Sequence, residues 1–178
     1  MLRHDLPFAA VDTILPVGEA HRVGEEHVIA AVPSVFSDHL RVLLTELQRI
    51  SSHLVWLGSH ALDLAAMSVF LYGMREREQI LDIFELVSGA RMMTSYFRVG
   101  GLAYDLPVDF APTVAEFLKI MPGRVDEYED LLTGNVLWLE RTQGVGVIDT
   151  DAAISYGLTG PGLRATGVAW DLRKDMPY

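Results

Sequence analysis

From Leu40 onward the apolar residues Leu43, Leu44, Leu47, Ile50, Leu54, Leu57, Ala61, Leu64 and Ala65 recur with the 3.6-residue period of an α-helix. A chain with that spacing is built around a long helix, because a strand would turn half of those side chains away from any core. Ser34 or Ser37 is placed to cap its start, and the helix is predicted to run to the neighbourhood of Gly73. Its first half is amphipathic, with Arg41, Thr45, Gln48 and Arg49 opposite the apolar stripe. Beyond His53 it is apolar almost all round, which predicts burial on every side.

The same run raises a membrane question. Leu54 to Tyr72 is nineteen residues with one acidic charge and no Lys or Arg, close to the length that spans a bilayer. Asp63 lies at its centre, where a carboxylate in lipid costs roughly 3 kcal/mol or more. Ser59, His60 and Ser68 add polarity, and aromatic and basic flanks are not present on both sides. A buried helix of a globular protein is the better reading.

Half the residues are apolar and one-fifth charged, which at 178 residues is the composition of one compact domain with a single core. A net charge of −10 with scattered basic residues argues against nucleic-acid binding. Without cysteine the chain can supply neither a disulfide nor thiolate ligands to an iron-sulfur or nickel-iron centre, so metal chemistry must sit on a partner. The opening MLRHDLPFAAVDTILP meets Asp5 and Asp12 too soon for a signal-peptide core, and the chain reads as cytosolic-side.

Residues 1–33 are broken by Pro7, Pro16, Gly18, Gly24 and Pro33 and read as an irregular or extended arm. Residues 34–178 read as a helical core domain. Within it Arg75 to Val87 is predicted helical, with Gly89 as a left-handed C-terminal residue, and Arg91 to Phe97 as a further short helix. Thr113 to Met121 should be stopped by Pro122-Gly123, and another helix from Val125 should turn Tyr128, Leu131 and Leu132 inward before Thr133-Gly134-Asn135. Thr150 or Asp151 is expected to cap a short helix ending at Gly157. The tail keeps Leu158, Leu163, Val168, Trp170 and Leu172 and should be a packed loop. The predicted fold is mainly α: a long-helix bundle core, an irregular N-terminal arm and a Gly-rich ordered C-terminal loop.

Asp63 is the leading candidate for chemistry. A carboxylate inside LGSHALDLAAM needs a partner or a raised pKa, and Ser59 and His60 lie one turn earlier. A purely structural hydrogen bond is the alternative local reading. Metal binding by His53, His60 and Asp63 is disfavoured, since the two histidines lie about 10 Å apart along a helix. The mixed charges of Arg75 to Glu85 read as a solvated face.

Three blocks, ELQRISSHLVWLGSHALDLAAMSVFLYGMREREQILDIFE, RMMTSYFRVGG and GLTGPGLRATGVAWDLRKDMPY, closely resemble the quinone-site subunit of respiratory NADH:quinone oxidoreductase, complex I. This is the family called NuoD in bacteria and the 49 kDa subunit in mitochondria. The resemblance runs almost unbroken from about residue 40 to the C-terminus, as a middle portion of the family. It implies that Asp63 and Ser59 belong to a quinone site, with Asp63 acting through a histidine to move protons. It implies that Arg91, Met93 and Arg98 lie near the partner subunit bearing the terminal four-iron cluster, and that charges in Arg75 to Glu85 form subunit contacts. Many family members carry histidine where this chain has Met93, and its loss predicts weaker proton coupling of that cluster. NAD and iron-sulfur clusters would sit on other subunits, with quinone as the substrate and a membrane subunit beneath. The location implied is peripheral, on the cytoplasmic face of a bacterial cell membrane, as a subunit inactive alone. EAHRVGEEH does not match the spacing of the family's N-terminal motif, so no role passes to His21 or Arg22. With Met93 this keeps a second reading open, a non-catalytic scaffold or incomplete paralogue.

Overall fold

The computed structural model describes residues 35–98 and 101–176. The predicted arm, including His21 and Arg22, lies outside them. The chain divides into two compact units at Gly134/Asn135.

The first unit opens with α1 (Val35–Asp63) and α2 (Met67–Ser88). The apolar spacing predicts one continuous helix to Gly73, but α1 ends ten residues earlier. The cause is a left-handed C-terminal motif made without glycine. Ala65 has φ +66°, its N–H donates to the Leu62 carbonyl at 2.9 Å, and the Ala66 N–H reaches back to the Ala61 carbonyl at 2.7 Å. That is the Schellman pairing, in a residue type that gives no warning of it. The chain then doubles back, and two glycines let the helices touch. A Cβ at Gly58 would lie 3.2 Å from the Phe70 Cα, and one at Gly73 would lie 3.2 Å from the Leu54 carbonyl oxygen. Gly73 is thus a contact inside a helix, not the end of one. The end of α2 is at Gly89, as expected, with φ +72° and its N–H donating to the Glu85 carbonyl at 2.8 Å.

Because α1 and α2 form a hairpin, each buries only the side facing its neighbours. Burial all round is therefore not observed: Trp56, Leu62, Met67 and Leu71 are 53, 42, 60 and 57% exposed. No described helix is long and apolar enough to cross a membrane.

The predicted helix over Arg91 to Phe97 is absent. Met93 and Ser95 take left-handed φ values of +55° and +45°, and the segment ends in a two-residue strand, β1 (Phe97–Arg98), antiparallel to β2 (Gly101–Leu102). Tyr96 is buried, and its hydroxyl donates to the Tyr104 carbonyl at 2.7 Å. Arg41 of α1 clamps this hairpin, donating to the carbonyls of Arg98 and Gly101.

Helix α3 (Phe110–Leu132) runs through Pro122, where the sequence predicts a stop. Proline there removes one backbone hydrogen bond. Buried Phe110, Val114, Phe117, Met121, Tyr128 and Leu132 nevertheless keep one face in the core on both sides of it, and packing of that face outweighs the local cost. The core joins Phe110, Val114, Phe117, Met121 and Tyr128 to Leu40, Leu44, Leu47 and Leu54 of α1 and to Ile80, Ile83, Phe84 and Val87 of α2.

The second unit holds four short helices: α4 (Val136–Thr142), α5 (Thr150–Ser155), α6 (Gly160–Ala165) and α7 (Leu172–Asp175). The Asn135 side chain caps α4 by accepting from the N–H groups of Leu137 and Trp138. Asp149, one residue before the predicted cap, accepts from the Ala152 N–H and starts α5. The tail after Gly157, predicted to be a packed loop, contains two helices, and of Leu158, Leu163, Val168, Trp170 and Leu172 only Leu163 is buried. A hydrogen bond of 3.1 Å from the Thr150 hydroxyl to the Thr166 carbonyl joins it to α5. Among its described residues only Ala153 and Leu163 are buried.

Candidate functional site

The end of α1 carries the first predicted group on its outer side. Trp56, Ser59, His60 and Asp63 follow one another at helical spacing, away from the core line of Leu47, Leu54 and Ala61. His60 leans on Trp56, with ring centroids 5.2 Å apart, and its Nδ1 lies 2.9 Å from the Trp56 carbonyl oxygen. A proton on Nδ1 satisfies that contact and leaves Nε2 outward. The Ser59 hydroxyl donates back to the Val55 carbonyl at 2.7 Å.

The apolar run predicts Asp63 inside the protein, with a partner or a raised pKa. Instead it is exposed, with no hydrogen-bonding or ionic partner among the described residues. It is also the last residue of α1, where the negative end of the helix dipole disfavours a carboxylate by roughly 0.3–1 kcal/mol. An exposed acid placed against the dipole of its own helix is not explained by stability of this unit.

The second predicted group lies elsewhere. Arg91 pairs with Asp82 at 2.5 Å, with Glu85 at 3.3 Å and with Glu78, all on α2. These carboxylates, Asp82 first, hold its guanidinium pKa above the ordinary value. Arg98 turns back on the carbonyls of Ser95 and Phe97. Met93 points into solvent at 93% exposure. A pocket close by in sequence is lined by Leu44, Thr45 and Gln48 of α1, Phe84 and Val87 of α2, and Thr94, Tyr96 and Phe97. Gln48 precedes Asp63 by fifteen residues on one helix, a separation of about 22 Å at 1.5 Å per residue. The structure therefore does not bring Asp63 and Ser59 together with Arg91, Met93 and Arg98.

A third group escapes the sequence reading. Glu76, assigned by its neighbours to a solvated face, is fully buried. Its carboxylate accepts from the Tyr128 hydroxyl of α3 and from Arg75 Nε at 2.6 Å, and Arg124 Nε stands 3.3 Å away. Glu127 closes the cluster, 2.8 Å from Arg75 and 3.1 Å from Arg124. The Arg75 guanidinium also lies 4.9 Å from the centre of the Tyr72 ring. Burial, then the bond to Glu76, pushes the Tyr128 phenol pKa well up, while Arg75 holds Glu127 below the ordinary carboxylate value. The available signal is spacing: Val69, Gly73, Glu76, Ile80, Ile83 and Val87 fall on one helical stripe, and Glu76 is the charged member. This two-cation, two-anion cluster fixes α3 on α2. Among the described residues no group of three His, Asp or Glu side chains is arranged to hold a metal ion.

A mainly helical chain presents an exposed acid at the end of α1 and, well removed from it, a turn held by Arg41 and Arg91. The family model for the respiratory-chain NADH dehydrogenase 49 Kd subunit matches residues 63–178, and the chain belongs to that family. It is 83% identical over 138 residues to the first of the NADH-quinone oxidoreductase D subunits of Roseiflexus castenholzii, covering 78% of this chain and 33% of that protein. It is 82% identical over 138 residues to the second D subunit of the same enzyme in Chloroflexus aurantiacus, covering 78% of this chain and 34% of that protein. The D subunit of Geotalea uraniireducens is 58% identical over 139 residues, covering 78% of this chain and 36% of that protein. The chain thus spans about a third of the length of these curated relatives.

Proposed function

We propose that this chain works within a membrane-associated NADH:quinone oxidoreductase, where the outer face of α1 at Ser59 and Asp63 forms part of the quinone site. The observation that carries the reading is Asp63, an uncompensated carboxylate on a partly apolar outer face in a chain of this family. Reduction of a quinone to the quinol takes two electrons and two protons. Asp63 supplies a group that holds and passes a proton beside the substrate. Electrons come from a cluster on a neighbouring subunit, since the chain has no cysteine to ligate one. The Arg91–Arg98 turn faces that subunit, NAD is used at another, and a membrane subunit lies beneath at the cytoplasmic face.

The test is NADH-driven quinone reduction in native membranes carrying Asp63→Asn. Turnover is expected to fall at least tenfold while the subunits still co-purify. Wild-type turnover with intact assembly would refute the role of Asp63.

A scaffold without catalytic duty is the second reading, favoured by Met93, which puts a thioether with no titratable group at a 93% exposed point of the turn. We infer from it that the midpoint potential of the facing cluster varies little with pH. A full proton-linked slope in a pH titration of that midpoint would refute the inference, and Met93→His is expected to introduce such a slope.

A further inference from the structure

Two arginines hold the segment that carries Met93. Arg91, at its start, is anchored to Glu78, Asp82 and Glu85 of α2. Arg41 reaches its far end from α1, where a single nitrogen, Nη2, donates to the carbonyls of Arg98 and Gly101, the latter at 2.7 Å. Those two residues are partners across the β1–β2 pair, so one cation ties both strands to the long helix. Strands of two residues are too short to hold together by their own ladder, and charge-assisted bonds to their carbonyls supply what the ladder lacks. The contact of Arg41 with Asp38, at 3.4 Å on the surface of α1, carries little weight beside these.

Between the two anchors the backbone is in an unfavourable state. Met93 and Ser95 both take left-handed φ values, +55° and +45°, which residues other than glycine keep only where the surroundings enforce them. Met93 is almost wholly exposed, so packing of its own side chain does not hold it there. The constraint comes from the ends: Arg91 on one side, and on the other the buried Tyr96 and the strands that Arg41 grips.

We propose that Arg41 is a positioning residue: by fixing the backbone of β1 and β2 it holds the Met93–Ser95 turn in the conformation that sets residue 93 against the cluster of the neighbouring subunit. The proposal rests on the reading that this turn faces that cluster, and not on the quinone chemistry assigned to Asp63. Arg41 precedes Asp63 by twenty-two residues on α1, about 33 Å at 1.5 Å per residue, so its effect does not pass through contact with that carboxylate.

The experiment uses residue 93 as the probe, in the complex within its native membranes. Met93→His is expected to give the midpoint potential of the facing cluster a proton-linked slope, and that slope depends on where the imidazole stands. Adding Arg41→Met removes the donors, keeps an apolar stem, and is expected to cut the slope to less than about half. Adding Arg41→Lys instead keeps a cationic donor and is expected to retain at least about three-quarters of it. Loss of a cation by itself moves the midpoint at every pH without changing the slope. The charged groups flanking the turn and its anchors, Asp38, Glu78, Asp82, Glu85, Arg98 and Asp105, are common to all variants, so a change of slope belongs to the imidazole. An equal slope with and without Arg41→Met overturns the positioning role and leaves the facing reading intact, and so does an equal loss with Met and Lys. No slope in Met93→His alone refutes the facing reading and the proposal with it. Co-purification of the partner subunits controls for assembly. If Arg41→Met fails that control, Arg41→Gln, too short to grip both carbonyls, decides on the same criteria.

Discussion

Two carboxylates of the α1–α2 hairpin, Glu76 and Asp63, occupy opposite circumstances. Glu76 is buried, yet Tyr128, Arg75 and Arg124 converge on it. Asp63 is in the open, on an outer face with exposed apolar neighbours, and no described residue of the chain answers it. The contrast separates two uses of charge. A buried acid with its partners supplied internally fixes one arrangement of helices. An exposed acid with no internal partner, at an unfavourable helix end, is available to something outside.

The largest test of that contrast is Glu76→Ala. Removing the acceptor leaves the Tyr128 hydroxyl buried and Arg75 and Arg124 facing each other, and chemical denaturation is expected to show a loss of about 2–3 kcal/mol, moderated because both arginines reach solvent. Asp63→Ala in the same assay should change stability by no more than about 0.5 kcal/mol. Equal losses would erase the distinction between the two acids. Next comes Gly73→Ala, which pushes a methyl to 3.2 Å from the Leu54 carbonyl, a backbone atom that cannot swing away. A loss of roughly 1–2 kcal/mol is expected, whereas an unchanged or raised melting temperature would show that the hairpin separates easily.

Tyr96 sharpens the picture at alkaline pH. Burial first, and the nearby Asp105 second, push its phenol up to about 12 from 10.0. Its folded pKa exceeds its unfolded one, so its stabilisation is complete below pH 10 and declines as pH rises towards 12. Tyr96→Phe should flatten that decline in a pH series of melting temperatures, at the expense of the bond to Tyr104. The smallest effect belongs to Glu127, whose folded pKa is depressed chiefly by Arg75. Its contribution is present above the ordinary value of 4.5 and fades as pH falls below it. Glu127→Gln should therefore remove part of the acid slope, and an unaltered slope would mean the cluster owes its order to Glu76 alone.

Much of the helical plan is legible because leucine and phenylalanine spacing reports buried faces directly. Leu40 to Leu54 and Ile80 to Val87 are found that way, and Gly89 announces its own left-handed turn. The failures have one physical origin, in that local signals are outvoted by neighbours or are silent. Pro122 looks like a stop and is carried by a buried face on either side. Ala65 adopts a conformation its side chain does not advertise. Gly73 looks like a terminus and is a notch for the facing helix. For the site, Asp63 is recognisable as an outlier in an apolar run, but its direction is not. A nineteen-residue apolar stretch reads as one buried rod until the break at Leu64–Ala66 is known. Glu76 is legible only from its place in the stripe of α2, where adjacent charges mask it.

The three residues that join α1 to α2 also bear on the order in which the molecule assembles. Closing a loop costs entropy that grows with the logarithm of its length, so the hairpin has the lowest entry barrier of the long pairings here. It should be present in the folding transition state before α3 swings in to meet Glu76. Mutations at Gly58 and Gly73 should then slow folding, while Tyr128→Phe should chiefly speed unfolding.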